Sequence, residues 1–115
     1  MRTVEEILNH HMKATNEGNL EEIMLDYAED AVLITKDTGV VKGKEALRQF
    51  FQMLTSGLFA GVQSVNTTLI TEGDLAYVEW QFETATNVAS GVDTFVVYGD
   101  RIHAQTGKLI SFSRK

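Results

Sequence analysis

The apolar residues of this chain change their spacing once, and that change limits the folds open to it. Up to Leu54 they recur at helical intervals around one short β-favouring run, and from Gly61 onward the chain reads as strands. Helices followed by a meander of strands define an α+β architecture, with the helices gathered on one sheet face. The chain contains no proline, so every backbone N–H is available to a ladder.

Thr3 with Glu6 three residues later forms a capping box that starts the first helix. Val4, Ile7, Leu8, His11 and Thr15 make its inner face, leaving Glu5, Asn9 and Lys13 outside. Gly18 stops this helix, and Asn19 with Glu22 caps a short second one whose apolar side is Leu20, Ile23, Met24 and Tyr27. Gly43 opens a third helix with Ala46, Leu47, Phe50, Phe51 and Leu54 on one stripe. These stripes need a sheet to cover them.

The strands are predicted at Ala31 to Thr35, Val40-Val41, Val62 to Thr71, Leu75 to Thr86, Val92 to Tyr98 and Arg101 to Thr106. Asn87 to Ser90 reads as a polar connection. Gly99-Asp100 suits a two-residue hairpin turn, and Leu109 to Phe112 prolongs the last strand after a bulge at Gly107.

A length of 115 residues fits a single domain spanning 1–115. The net charge of −6, with ten basic residues scattered along the chain, argues against nucleic acid as a partner. No apolar run reaches the roughly 20 residues of a membrane span. The opening MRTVEEILNHHMK carries acids and histidines where a secretory peptide is apolar, which predicts a cytoplasmic protein. With no cysteine, disulfides, thiolate zinc sites and cysteine nucleophiles are excluded. A metal site from His10, His11 and His103 is disfavoured, because neighbours on a helix point about 100° apart.

Two segments carry a family resemblance. NLEEIMLDYAEDAVLITKDTGVVKGKEALRQFF, from Asn19 to Phe51, and GVDTFVVYGDRIHAQ, from Gly91 to Gln105, together resemble the nuclear transport factor 2-like superfamily. That superfamily includes ketosteroid isomerases and SnoaL-like polyketide cyclases. The resemblance covers nearly the whole chain. It implies a cone-shaped, cystatin-like roll with three helices on the concave face of a curved sheet. It also implies a small organic ligand inside the cone, two-fold homodimerisation and no cofactor.

Helical period and strand parity name the expected lining of such a pocket: His11, Tyr27 and Phe50 from helices, then Trp80, Asp93, Phe95 and Val97, with His103 and Gln105 on the last strand. Asp93 stands early in an apolar strand, where a carboxylate loses hydration unless paired. The resemblance puts the oxyanion-hole Asp of the isomerases on Asp93, and their partner Tyr on His11. Against this stand a solvated Asp93 at a strand end and a buried His11 satisfied by backbone. Trp80, Phe50, Tyr27 and Met24 form either an aromatic ligand wall or plain core.

The departures matter equally. The isomerases' general base falls on Thr35, which cannot abstract a carbon-bound proton at neutral pH, so true ketosteroid isomerisation is disfavoured. The paired carboxylates of related epoxide hydrolases are missing too, since Gly91 stands two residues before Asp93. Two readings follow. One is an isomerase, cyclase or dehydratase acting on a small organic carbonyl compound, with Asp93 and His11 as acid/base groups. The other is a binding or dimeric assembly module without chemistry.

Overall fold

The computed structural model describes residues 1–57 and 59–115. Helices α1 (Val4–Glu17) and α2 (Leu20–Leu25) precede strands β1 (Tyr27–Thr35) and β2 (Gly39–Lys42). Helix α3 (Lys44–Ser56) follows, then β3 (Ser64–Glu72), β4 (Leu75–Glu83), β5 (Asn87–Tyr98) and β6 (Arg101–Arg114). The six strands form one curved, open sheet in the order β2-β1-β6-β5-β4-β3. Only β1 and β6 pair in parallel; the other neighbours are antiparallel. This is the cystatin-like α+β roll expected from the resemblance.

The predicted caps form. Glu6 N donates to Thr3 Oγ1 and Thr3 N donates to Glu6 Oε1, while Gly18 ends α1 at φ 67°. Helix α1 buries Ile7, Leu8, His11 and Ala14, and α3 buries Leu47 and Phe51. On the concave face α3 lies over β1 and β2, and α1 reaches across to β3 and β4. Inward residues of the sheet, including Leu33, Ala76, Val78, Phe95, Val97 and Ile102, complete the core. No helix among the described residues is long and apolar enough to cross a membrane.

Three local readings are corrected. Tyr27 is not on α2 but is the first residue of β1, paired with Ile102, whose N–H reaches the carbonyl of Asp26. An aromatic residue after a helix cap is as good a strand start as a helix end, and the parallel β6 decides between them. Asn87 to Ser90 is strand, because the polar turn is shorter than expected. Thr84 Oγ1 accepts from the N–H groups of both Thr86 and Asn87, so β5 begins at once. Gly107 is not a bulge and pairs regularly with Asp93; the register slips instead between Ser90 and Gly91, and between Val96 and Val97. The extra residues in β6 are therefore Ile110 and His103. The Gly99-Asp100 turn holds, with both residues at positive φ (58° and 67°), which matches the strand twist.

One feature had no sequence signal. Asp26, fully buried, accepts from Arg2 Nη1 and bonds the His10 ring, each at 2.7 Å, while Arg2 also reaches the Asp100 turn. His10 also reaches Glu22. The bonds to Asp26 and then Glu22 raise the His10 pKa above its ordinary value, against the opposing effect of burial. His10 is thus engaged away from His11, and the three histidines do not converge.

Candidate ligand cavity and its buried carboxylate

Between the helices and the concave sheet face lies a cavity of about 720 Å³. Its walls are mainly apolar: Leu33, Phe50, Phe51, Leu54, Phe59, Val78 and Phe95 among others. Polar side chains line it as well, among them Thr15, Asn16, Lys36, Asp37, Gln81 and Lys108 besides Asp93 and Gln105, and an apolar wall with polar groups set into it suits a small-molecule site.

Asp93 owes its position to strand register. Across β5 and β6 it faces Gly107, and across β5 and β4 it faces Val78, so its diagonal neighbours on the same face are Gln105 and Trp80. Trp80 Nε1 donates to Asp93 Oδ1 at 3.0 Å, and Gln105 Nε2 donates to Asp93 Oδ2 at 2.7 Å. Burial pushes the Asp93 carboxyl pKa up, although both hydrogen bonds pull it down.

Two glycines make the room. A methyl group on Gly107 would stand 3.0 Å from Asp93 Oδ1. One on Gly91 would overlap the Trp80 indole and lie 2.6 Å from the Lys108 carbonyl. From the sequence, Gly107 reads as a bulge and Gly91 only as a missing carboxylate. The available signal was a glycine inside a strand, which often marks a close approach of other atoms.

The network continues inward. Tyr27 Oη donates to Gln105 Oε1, and His11 Nε2 lies 3.5 Å from the same hydroxyl, at the outer limit of a hydrogen bond. The His11 ring is enclosed edge-on by Tyr27, Phe51 and Phe95, with centroids 5.5 to 5.8 Å apart. Burial lowers its pKa to about 4, so the ring is neutral at physiological pH. Its Nδ1 is buried with no hydrogen-bond partner among the described residues.

Of the nine residues expected from the sequence to line the pocket, six do: His11, Phe50, Trp80, Asp93, Phe95 and Gln105; Val97 is buried in the core instead. Tyr27, with Met24, belongs to the buried core and touches the cavity wall through Gln105 and His11 rather than lining it. His103 is displaced altogether. The extra residue in β6 breaks the parity shared with Gln105, and His103 stacks on Tyr98 with centroids 3.7 Å apart. Asp93 and His11 do not bond each other; Gln105 and Tyr27 stand between them. Thr35, where the isomerases' base would fall, lines the cavity and pairs with Thr38.

A curved open sheet with helices closing its concave side defines the nuclear transport factor 2-like class. The chain belongs to the SnoaL-like domain family, whose family model matches residues 8–109. Among curated proteins, none matches the sequence. Several solved structures are similar. The epoxide hydrolase/cyclase-like enzyme SalBIII, of pyran ring formation in the polyether salinomycin, superposes with a TM-score of 0.83 at 18% identity, covering 97% of this chain and 95% of that one. A ketosteroid isomerase-like protein of Kribbella flavida gives 0.79 at 18% identity, with 94% and 78% covered. A cystatin-like-fold protein of unknown function from Methylobium petroleophilum gives 0.75 at 14% identity, with 94% and 76% covered. At these identities the likeness establishes the fold.

Proposed function

We propose that this chain binds a small, largely apolar organic molecule in the cavity and acts on it by acid/base chemistry at Asp93. The observation that carries this reading is a desolvated carboxylate on the wall of an open apolar cavity. Its raised pKa brings it closer to the working range of a proton-transfer group, and Trp80 and Gln105 fix its orientation. His11 stands on the same cavity as a neutral imidazole. Isomerase, cyclase and dehydratase reactions are all within reach of such a pair, and the similar folds described as cyclase-like and isomerase-like support that range.

A thermal-shift screen of small apolar organic compounds tests the proposal. The wild type is expected to be stabilised by a ligand that loses about tenfold or more in affinity with Asp93→Asn, because a hydrogen bond to a charged group is removed. A ligand held equally by both proteins would place binding elsewhere. Turnover absent in the presence of such binding would favour a binding module. The purified protein is expected to show no appreciable Δ5-3-ketosteroid isomerase activity. Thr35 supplies no base, and general-base catalysis contributes about 10²–10⁴-fold. Turnover at the level of a true isomerase would refute that.

The proposal includes a homodimer formed through the outer sheet face. Ile70, Leu75, Val96 and Tyr98 are exposed there, Leu75 pairing directly with Val96, and contiguous exposed apolar surface marks interfaces. Light scattering at micromolar concentration is expected to give a dimer that Val96→Lys or Tyr98→Lys dissociates. A wild-type monomer would defeat this.

A further inference from the structure

We infer that the ligand of this cavity presents a hydrogen-bond donor, a hydroxyl or an amine, to Asp93, rather than a carbonyl. The inference rests on the ligand-binding reading above and deepens it. It follows from where the hydrogens of the buried network go. Trp80 has one N–H and spends it on Asp93. Tyr27 has one O–H and spends it on Gln105 Oε1. That contact fixes the amide, so Gln105 turns its NH2 towards Asp93.

The consequence reaches His11. With its hydrogen committed to Gln105, the Tyr27 oxygen can only accept from His11 Nε2, 3.5 Å away. The imidazole proton therefore belongs on Nε2, and Nδ1 keeps a bare lone pair, which is the buried atom without a partner. The wall offers the lone pairs of Asp93 left over by Trp80 and Gln105, while His11 Nδ1 lies buried behind it. Against them stands one hydrogen, the second N–H of Gln105. A bound carbonyl competes for that single donor and faces a carboxylate. A bound hydroxyl or amine meets acceptors, and leaving a buried polar group unmatched is the costly alternative.

The same network predicts how the preference reverses. In Asp93→Asn, Trp80 holds the amide oxygen and the new NH2 faces Gln105. Gln105 must then present its oxygen to Asn and its NH2 to Tyr27. Tyr27 turns its hydrogen to His11 Nε2, and the imidazole proton moves to Nδ1, which becomes a donor. One substitution at Asp93 thus replaces the acceptors of the wall by a donor, the second N–H of the new amide, and reverses the imidazole tautomer behind it.

Three probes with one carbon cage test this: 2-adamantanol, 2-adamantanamine and 2-adamantanone, titrated calorimetrically into the intact chain. The wild type is expected to bind the alcohol, the amine or both at least about tenfold more tightly than the ketone. The alcohol and amine arms separate a neutral donor from a cation. Asp93→Asn is expected to bind the ketone best. Equal or tighter binding of the ketone by the wild type overturns the inference while leaving the cavity a ligand site. If the wild type binds none of the three at millimolar concentration, the ligand-binding reading fails and takes this inference with it. Should Asp93→Asn not fold, nitrogen NMR of wild-type His11 decides: a proton on Nε2 supports the inference, and one on Nδ1 overturns it.

Discussion

Gly91→Ala is expected to lower stability by about 2–3 kcal/mol, the upper part of the range for forcing one methyl group into packed surroundings. In a domain of this size that corresponds to roughly 10 °C in Tm. Two fixed neighbours cause it. The new methyl overlaps the Trp80 ring on one strand and the Lys108 carbonyl on the other, so neither side can yield alone. The backbone at Gly91 is not in the left-handed region, and the cost is steric rather than conformational. Trp80 is the only tryptophan, so its fluorescence reports the displacement directly, along with loss of its bond to Asp93. Trp80→Ala should also destabilise, and the double variant should lose clearly less than the sum of the two. Unchanged emission and unchanged stability in Gly91→Ala would show that the two strands do not cradle the indole.

The second large effect is acid destabilisation through His11. Its folded-state pKa of about 4 lies below the unfolded value near 6.5. Between those limits the unfolded chain takes up a proton that the folded state refuses. Stability therefore falls as pH drops from about 6.5 towards 4, by about 3 kcal/mol in full. His10, next in sequence, works in the opposite sense: its raised pKa adds stability that is present below about pH 6.5 and lost as pH rises through the folded value. The raised pKa of Asp93 also favours the folded state on the acid side. The useful observable is accordingly the difference between wild type and His11→Phe in denaturant unfolding at pH 7 and pH 4.5. Phe keeps an aromatic ring in the cage of Tyr27, Phe51 and Phe95. Parallel pH profiles for the two proteins would mean that His11 is solvated or protonated in the folded state.

Local chemistry was the legible part of this chain. Thr3 with Glu6, Gly18 and the Gly99-Asp100 turn are short-range devices whose physics is complete within a few residues. All three form as expected. The alternation of Ala76, Val78, Trp80 and Phe82 likewise put Trp80 on the inner face, and the apolar strand around Phe95 put Asp93 there. What escaped depends on partners distant in sequence. Tyr27 could end a helix or begin a strand until β6 arrives beside it. The displacement of His103 rests on a bulge that no residue type announces. The buried Asp26 joins Arg2, His10 and the Asp100 turn over separations that periodicity cannot see. The roles of Gly91 and Gly107 show the same limit, because a missing side chain says nothing about which neighbour needs the space.

The placement of β6 bears on how the chain comes to be folded. It follows the other five strands in sequence, yet it stands in the middle of the sheet, between β1 and β5. Until it emerges from the ribosome, β2-β1 and β3-β4-β5 are two separate pieces with raw edges. The Asp26 carbonyl waits for the Ile102 N–H, and Gln105 is missing between Asp93 and Tyr27. Pairings this remote slow folding and leave strand edges open to wrong partners in the interval. A nascent chain of this design is expected to stay sensitive to proteases and dependent on holdase chaperones until β6 has emerged and paired. The same dependence makes loss of the residues from Arg101 onward a removal of the sheet's centre rather than the trimming of a tail.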